Sequence, residues 1–238
     1  MALAGAVDRV AARERLHGSA FVKSSHVPIP RAWMPYLGSL EVQTQDRETV
    51  LRFIREHRPH RLIVAARWSC YLEGPSRLEL TDQPEDANWY AFTDSNSASR
   101  ESSHEVIAEG LQALVSLCEE IDTTLVVVRQ VPECGLEAPS RSAVNFAMQR
   151  IPNLPSVPQT YQDFATRRSS FDRILDEIRG PQVLIVDPAP RFRSGDGGVI
   201  VFSDGVSNYR DADHLSWSGL GRLDAEIVEA LGCTEIPR

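Results

Sequence analysis

Three short, uninterrupted apolar runs constrain this chain more than anything else in it: Arg61–Ala66 (RLIVAA), Thr124–Val128 (TLVVV) and Val183–Val186 (VLIV). Runs this short, rich in Val and Ile, suit strands covered on both faces, as in a parallel sheet. Longer amphipathic stretches lie between and around them. Ala2–Leu16 places Leu3, Val7, Val10 and Leu16 near one face. Asp46 reads as the N-cap of a helix to His57, with Val50, Phe53 and Ile54 on its stripe and Pro59 beyond its end. Ser103 reads as the cap of a helix to Ile121, whose apolar face is Val106, Ile107, Leu111, Leu114, Val115 and Cys118. Further helices are expected at Ser140–Arg150, Tyr161–Arg179 and Ser218–Leu231, and short strands at Ser19–Lys23 and Val199–Phe202. Helices alternating with buried strands predict an α/β fold: one domain over residues 1–238, three layers deep, with a mostly parallel sheet between helices.

Bulk properties narrow the function classes. The net charge is −8, from 33 acidic and 25 basic residues, with no basic stripe, so binding to a phosphate backbone is not expected. The cysteines (Cys70, Cys118, Cys134 and Cys233) show no CxxC spacing and do not cluster with histidines, so no zinc site is expected, and their disulfide state stays open. His57 and His60 sit near a helix C-terminus, where a cation is favourable without any metal. The glycines at 195, 197 and 198 lack the strand-then-helix setting of a phosphate cradle. No run approaches the roughly 18 apolar residues of a membrane span. Asp8, Arg9, Arg13, Glu14 and Arg15 interrupt any signal-peptide core. Read literally, this is a soluble cytoplasmic chain with no implied cofactor.

Chemistry concentrates in residues 208–219, NYRDADHLSWSG. A histidine base needs a partner that fixes its tautomer and stabilises the imidazolium. Asp211, three residues before His214 in a loop ahead of the last helix, can turn back to serve it.

These residues resemble the last block of SGNH (GDSL-like) hydrolases, in the version fused to acyltransferase 3 family membrane O-acyltransferases: Y-x-D-x-x-H-L-S-x-x-G, matched by Tyr209, Asp211, His214, Leu215, Ser216 and Gly219. Other blocks agree in order. LIVAARW (62–68) with Tyr71–Gly74 is similar to the third strand and its loop, VVVRQVPECG (126–135) to the fourth, and VLIVDP (183–188) to the fifth. The resemblance implies a flavodoxin-like sheet of order 2-1-3-4-5. It also implies acyl-ester chemistry on a cell-surface carbohydrate, either O-acyl (usually acetyl) transfer or deacylation, with His214 as base and Asp211 as its orienting acid. The implied partners are an acyl donor, a carbohydrate acceptor and an N-terminal membrane acyltransferase region, which would put the domain on the extracytoplasmic side.

The departures are as informative. The family's nucleophile sits in a Gly-Asp-Ser turn after its first strand, and this sequence has neither that turn nor a G-x-S-x-G elbow. Residues 1–18 resemble instead the helix that follows Gly-Asp-Ser-His-Ala. The expectation is therefore a domain lacking its first, central strand, inactive as it stands. The alternatives are a non-catalytic module that binds glycan or protein, and a hydrolase using Ser25 or Ser203. The family's oxyanion Gly and Asn are also absent: the matching segments read KSSHVP (23–28) and ARWSC (66–70). Ser25, Arg67 and Trp68 are the expected substrate-binding residues there.

Overall fold

The structure is a computed structural model and describes residues 2–21, 29–30, 32–33, 39–74, 99–133, 161–178, 180–210 and 214–233. Three strands, β1 (Arg61–Ala65), β2 (Thr124–Val128) and β3 (Val183–Val186), form one parallel sheet in the order β1-β2-β3. Leu62 pairs with Leu125, and Leu125 with Val183, so side chains stay in phase across the sheet.

That phase assigns the two faces. Leu62, Val64, Leu125, Val127, Val183 and Ile185 turn to one side. There they pack on α2 (Leu40–His57), α4 (Arg100–Glu120) and α5 (Tyr161–Glu177). The other face carries Ile63, Val126, Val128, Leu184 and Val186, with Ala230 of the C-terminal helix α7 (Asp224–Leu231) against them. The N-terminal helix α1 (Ala2–Arg13) joins that layer, burying Ala6 and Val10 among Leu220, Leu223 and Ile227. The result is the expected three-layer α/β/α arrangement. Arg61 adds a cap, donating to the carbonyls of Ala230 at 3.0 Å and Glu229 at 3.4 Å at the C-terminus of α7.

Helix starts differ from expectation because local serines outcompete the predicted caps. Ser39, not Asp46, caps α2, accepting from the Val42 N–H. Ser99 caps α4 through a reciprocal pair with Ser102. Ser103 instead donates its hydroxyl to the Tyr71 carbonyl. The expected helix over 218–231 is two helices, α6 (Trp217–Gly221) and α7, broken at Arg222 and Leu223. The Val199–Phe202 strand is also redrawn. Val199 makes only a bridge to Arg193, while β4 (Phe202–Ser203) pairs antiparallel with β5 (Val206–Ser207). Asp204 and Gly205 between them both have positive φ, as a two-residue hairpin turn requires.

Ser19–Phe21 is not a strand, and the rest of the Ser19–Lys23 expectation lies outside the described residues, as does Ser140–Arg150. Among the described residues β1 pairs with β2 alone.

Candidate functional site

Open parallel sheets place ligands beyond the C-terminal ends of their strands. Beyond β1 come Arg67 and the short helix α3 (Trp68–Glu73). Trp68 is fully buried, stacks on Phe171 of α5 with centroids 4.5 Å apart, and donates its Nε1–H to the Val128 carbonyl at 2.9 Å. It therefore forms the floor beneath the strand ends rather than a surface open to a ligand. Arg67 is half-buried, and its Nη2 donates to Oε1 of Glu133 at 3.4 Å. Glu133 is only 2% exposed. It also accepts from Gln130 Nε2 at 3.0 Å, and its Oε2 lies 3.7 Å from Arg167 of α5. Gln130 in turn accepts the Ser69 N–H at 2.9 Å. One buried carboxylate thus ties the turn after β1, the loop after β2 and α5 together. Sequence reasoning missed Glu133 and Gln130, whose partners come from the turn after β1 and from α5.

A second ionic group closes the ends of β2 and β3. Arg129 and Arg168 each face both Asp172 and Asp187, at 2.9–3.2 Å. Asp187 also accepts the Ala189 N–H, which fixes the chain as it leaves β3.

The 208–219 segment is built as a clamp. The buried Tyr209 hydroxyl donates to the Pro132 carbonyl at 2.8 Å, which brings this loop beside Glu133. Tyr209 and Leu215 form an antiparallel bridge, and the Arg210 N–H donates to the His214 carbonyl at 2.7 Å. Ser216 caps α6 by accepting the Gly219 N–H, and its own N–H donates to the Asn208 carbonyl at 2.9 Å. Gly219 packs so closely that a Cβ there would lie 2.0 Å from the Asn208 oxygen. Tyr209, Leu215, Ser216 and Gly219 therefore hold the loop, and His214 stands half-buried within it. Asp211 and Ser25 lie outside the described residues.

Helix α1 meets this loop. Gly5, in its second turn, lies against the indole of Trp217, three residues past His214, and Arg9 pairs with Asp224 at 2.5 Å. Ser203, an alternative nucleophile, accepts from Arg222 Nη1 at 2.8 Å and Asn208 Nδ2 at 3.0 Å. Both neighbours are donors, so neither can take its proton. Away from the loop, Glu73 collects Arg100, the Ser170 hydroxyl and His104. Burial pushes the His104 pKa below the ordinary imidazole value, and Glu73 partly offsets this.

Among the described residues no helix is long and apolar enough to cross a membrane, and no group of His, Cys, Asp and Glu is arranged to hold a metal ion. No curated protein matches the sequence. In structure the chain is similar to the periplasmic domain of a lipopolysaccharide acetyltransferase from Salmonella ser. Paratyphi A. The TM-score is 0.52 at 10% identity, over 97% of this chain and 77% of that one, a likeness of fold. The family model described as the SGNH domain fused to AT3 domains matches residues 1–229, and the chain belongs to that family.

Proposed function

We propose that this domain performs acyl-ester chemistry on a cell-surface carbohydrate, as the extracytoplasmic portion of a membrane acyltransferase. His214 is the general base and Asp211 orients it. The observation that carries the reading is the seat of α1 against the His214 loop through Gly5 and Trp217. A serine on a strand that pairs with β1 and turns into α1 would arrive next to His214. Serine catalysis at that point needs a nucleophile that residues 1–238, with no Gly-Asp-Ser, do not provide.

In this reading the serine hydroxyl attacks the carbonyl of the acyl donor while His214 takes its proton. The leaving group departs with that proton, giving an acyl-serine. A sugar hydroxyl, or water, then attacks the acyl-serine, and His214 moves its proton to the departing serine oxygen. Arg67 and Ser25 contact substrate, and Trp68 supports the turn that carries Arg67. The likeness to a lipopolysaccharide acetyltransferase domain supports transfer to a carbohydrate acceptor over simple hydrolysis.

The test uses the complete gene product in its own cells. His214→Ala and Asp211→Asn are each expected to lower the O-acetyl content of the surface polysaccharide at least tenfold at unchanged protein level. Proton transfer by a positioned base contributes about 10²–10⁴ in rate. The readout is the acetyl signal in proton NMR of the purified polysaccharide. Unchanged O-acetylation in both variants would overturn catalysis and leave a module that binds glycan or protein.

A further inference from the structure

Within the 208–219 clamp, Trp217 is 65% exposed, more than any other large apolar side chain described. Isolated exposed apolar residues are common, so exposure alone decides nothing. What sets Trp217 apart is how its ring is held. Its backbone is fixed as the first residue of α6 by the Ser216 cap. The outer edge of its indole rests on Gly5. A Cβ at that position would meet Cη2 at 3.0 Å, Cζ3 at 3.5 Å and Cζ2 at 4.0 Å. Glycine is disfavoured inside a helix relative to alanine, and here it gives the ring its seat. An indole held by its edge and 65% exposed is pre-oriented and accessible to a ligand.

We propose that Trp217 is the sugar-stacking platform of this site and holds one ring of the acceptor carbohydrate beside His214. The inference rests on the carbohydrate reading above and adds the residue that grips the sugar. Trp217 and His214 are three residues apart, so their Cα atoms are at most about 11 Å apart, which a multi-ring acceptor spans. Pyranose rings carry C–H groups on their faces and hydroxyls around their rims. A rigid indole matches both, through its flat apolar surface and its Nε1–H donor. Bases also stack on exposed tryptophans, but a chain of net charge −8 repels a phosphate backbone.

The chain holds four tryptophans. Incorporating 5-fluorotryptophan gives each one a fluorine resonance, and Trp217→Phe identifies that of Trp217. The probe is the de-O-acetylated surface polysaccharide of the organism that carries the gene, with dextran as a second glycan. The Trp217 resonance is expected to shift and saturate with the de-O-acetylated polysaccharide, while the other three stay in place. Trp217→Ala should weaken binding at least tenfold, and Trp217→Phe should restore most of it. Equal binding by the wild type and Trp217→Ala would overturn the platform and leave the carbohydrate reading standing. No binding of either glycan by the wild type would overturn both.

Discussion

Gly219→Ala is expected to cost about 3 kcal/mol or more, at the upper end of overpacking penalties. The new Cβ would stand 2.0 Å from the Asn208 oxygen and 2.9 Å from its carbonyl carbon. Both are backbone atoms, so no side-chain rotation relieves the clash. Asn208 is buried, and its carbonyl accepts the Ser216 N–H at 2.9 Å. Pushing it aside breaks the bond that starts α6, and the loop carrying His214 loses its far anchor. Urea denaturation measures the effect, with Gly221→Ala as control. Gly221, in the same helix, has open space where its Cβ would go and should change stability by under about 1 kcal/mol. Equal midpoints for the two variants would show that the close approach is absent in solution.

Trp68→Ala is expected to be at least as damaging, at about 3–5 kcal/mol, from loss of a fully buried indole. It empties the space against Phe171 and leaves the Val128 carbonyl without its indole donor. Against a total domain stability of about 5–15 kcal/mol, that change threatens folding itself. Trp68→Phe refills most of the space and loses the Nε1–H donor, so about 1–3 kcal/mol should remain lost. Thermal unfolding of both variants checks the ranking. A Trp68→Phe chain as stable as the parent would mean the indole faces a ligand rather than the core.

Much of this architecture was legible in the sequence, for identifiable reasons. The three apolar runs located β1, β2 and β3 to within a residue, because a strand buried on both faces must be apolar throughout. Helix starts were less legible because Ser39 and Asp46, or Ser99 and Ser103, are equally plausible caps in isolation. Tertiary context decides between them: Ser103 is already committed to the Tyr71 carbonyl. The β4–β5 hairpin was announced by Asp204-Gly205, a turn signal that the sequence reading did not use. In the proposed site, Asp211 and His214 were singled out by their spacing and by family resemblance. The reasons for Tyr209 and Gly219 are contacts with Pro132 and Asn208, which no spacing rule reveals. Glu133 was invisible for the same reason, since its partners come from the turn after β1 and from α5.

A fluorophosphonate probe, which forms a covalent bond to an activated serine, applied to the complete gene product tests the proposed chemistry most directly. Mass spectrometry of the labelled peptide locates the nucleophile. The expected result is one modified serine, on the peptide immediately ahead of α1, with labelling abolished by His214→Ala and absent from residues 1–238 expressed alone. Label on a serine within residues 1–238, or labelling that survives His214→Ala, would contradict it.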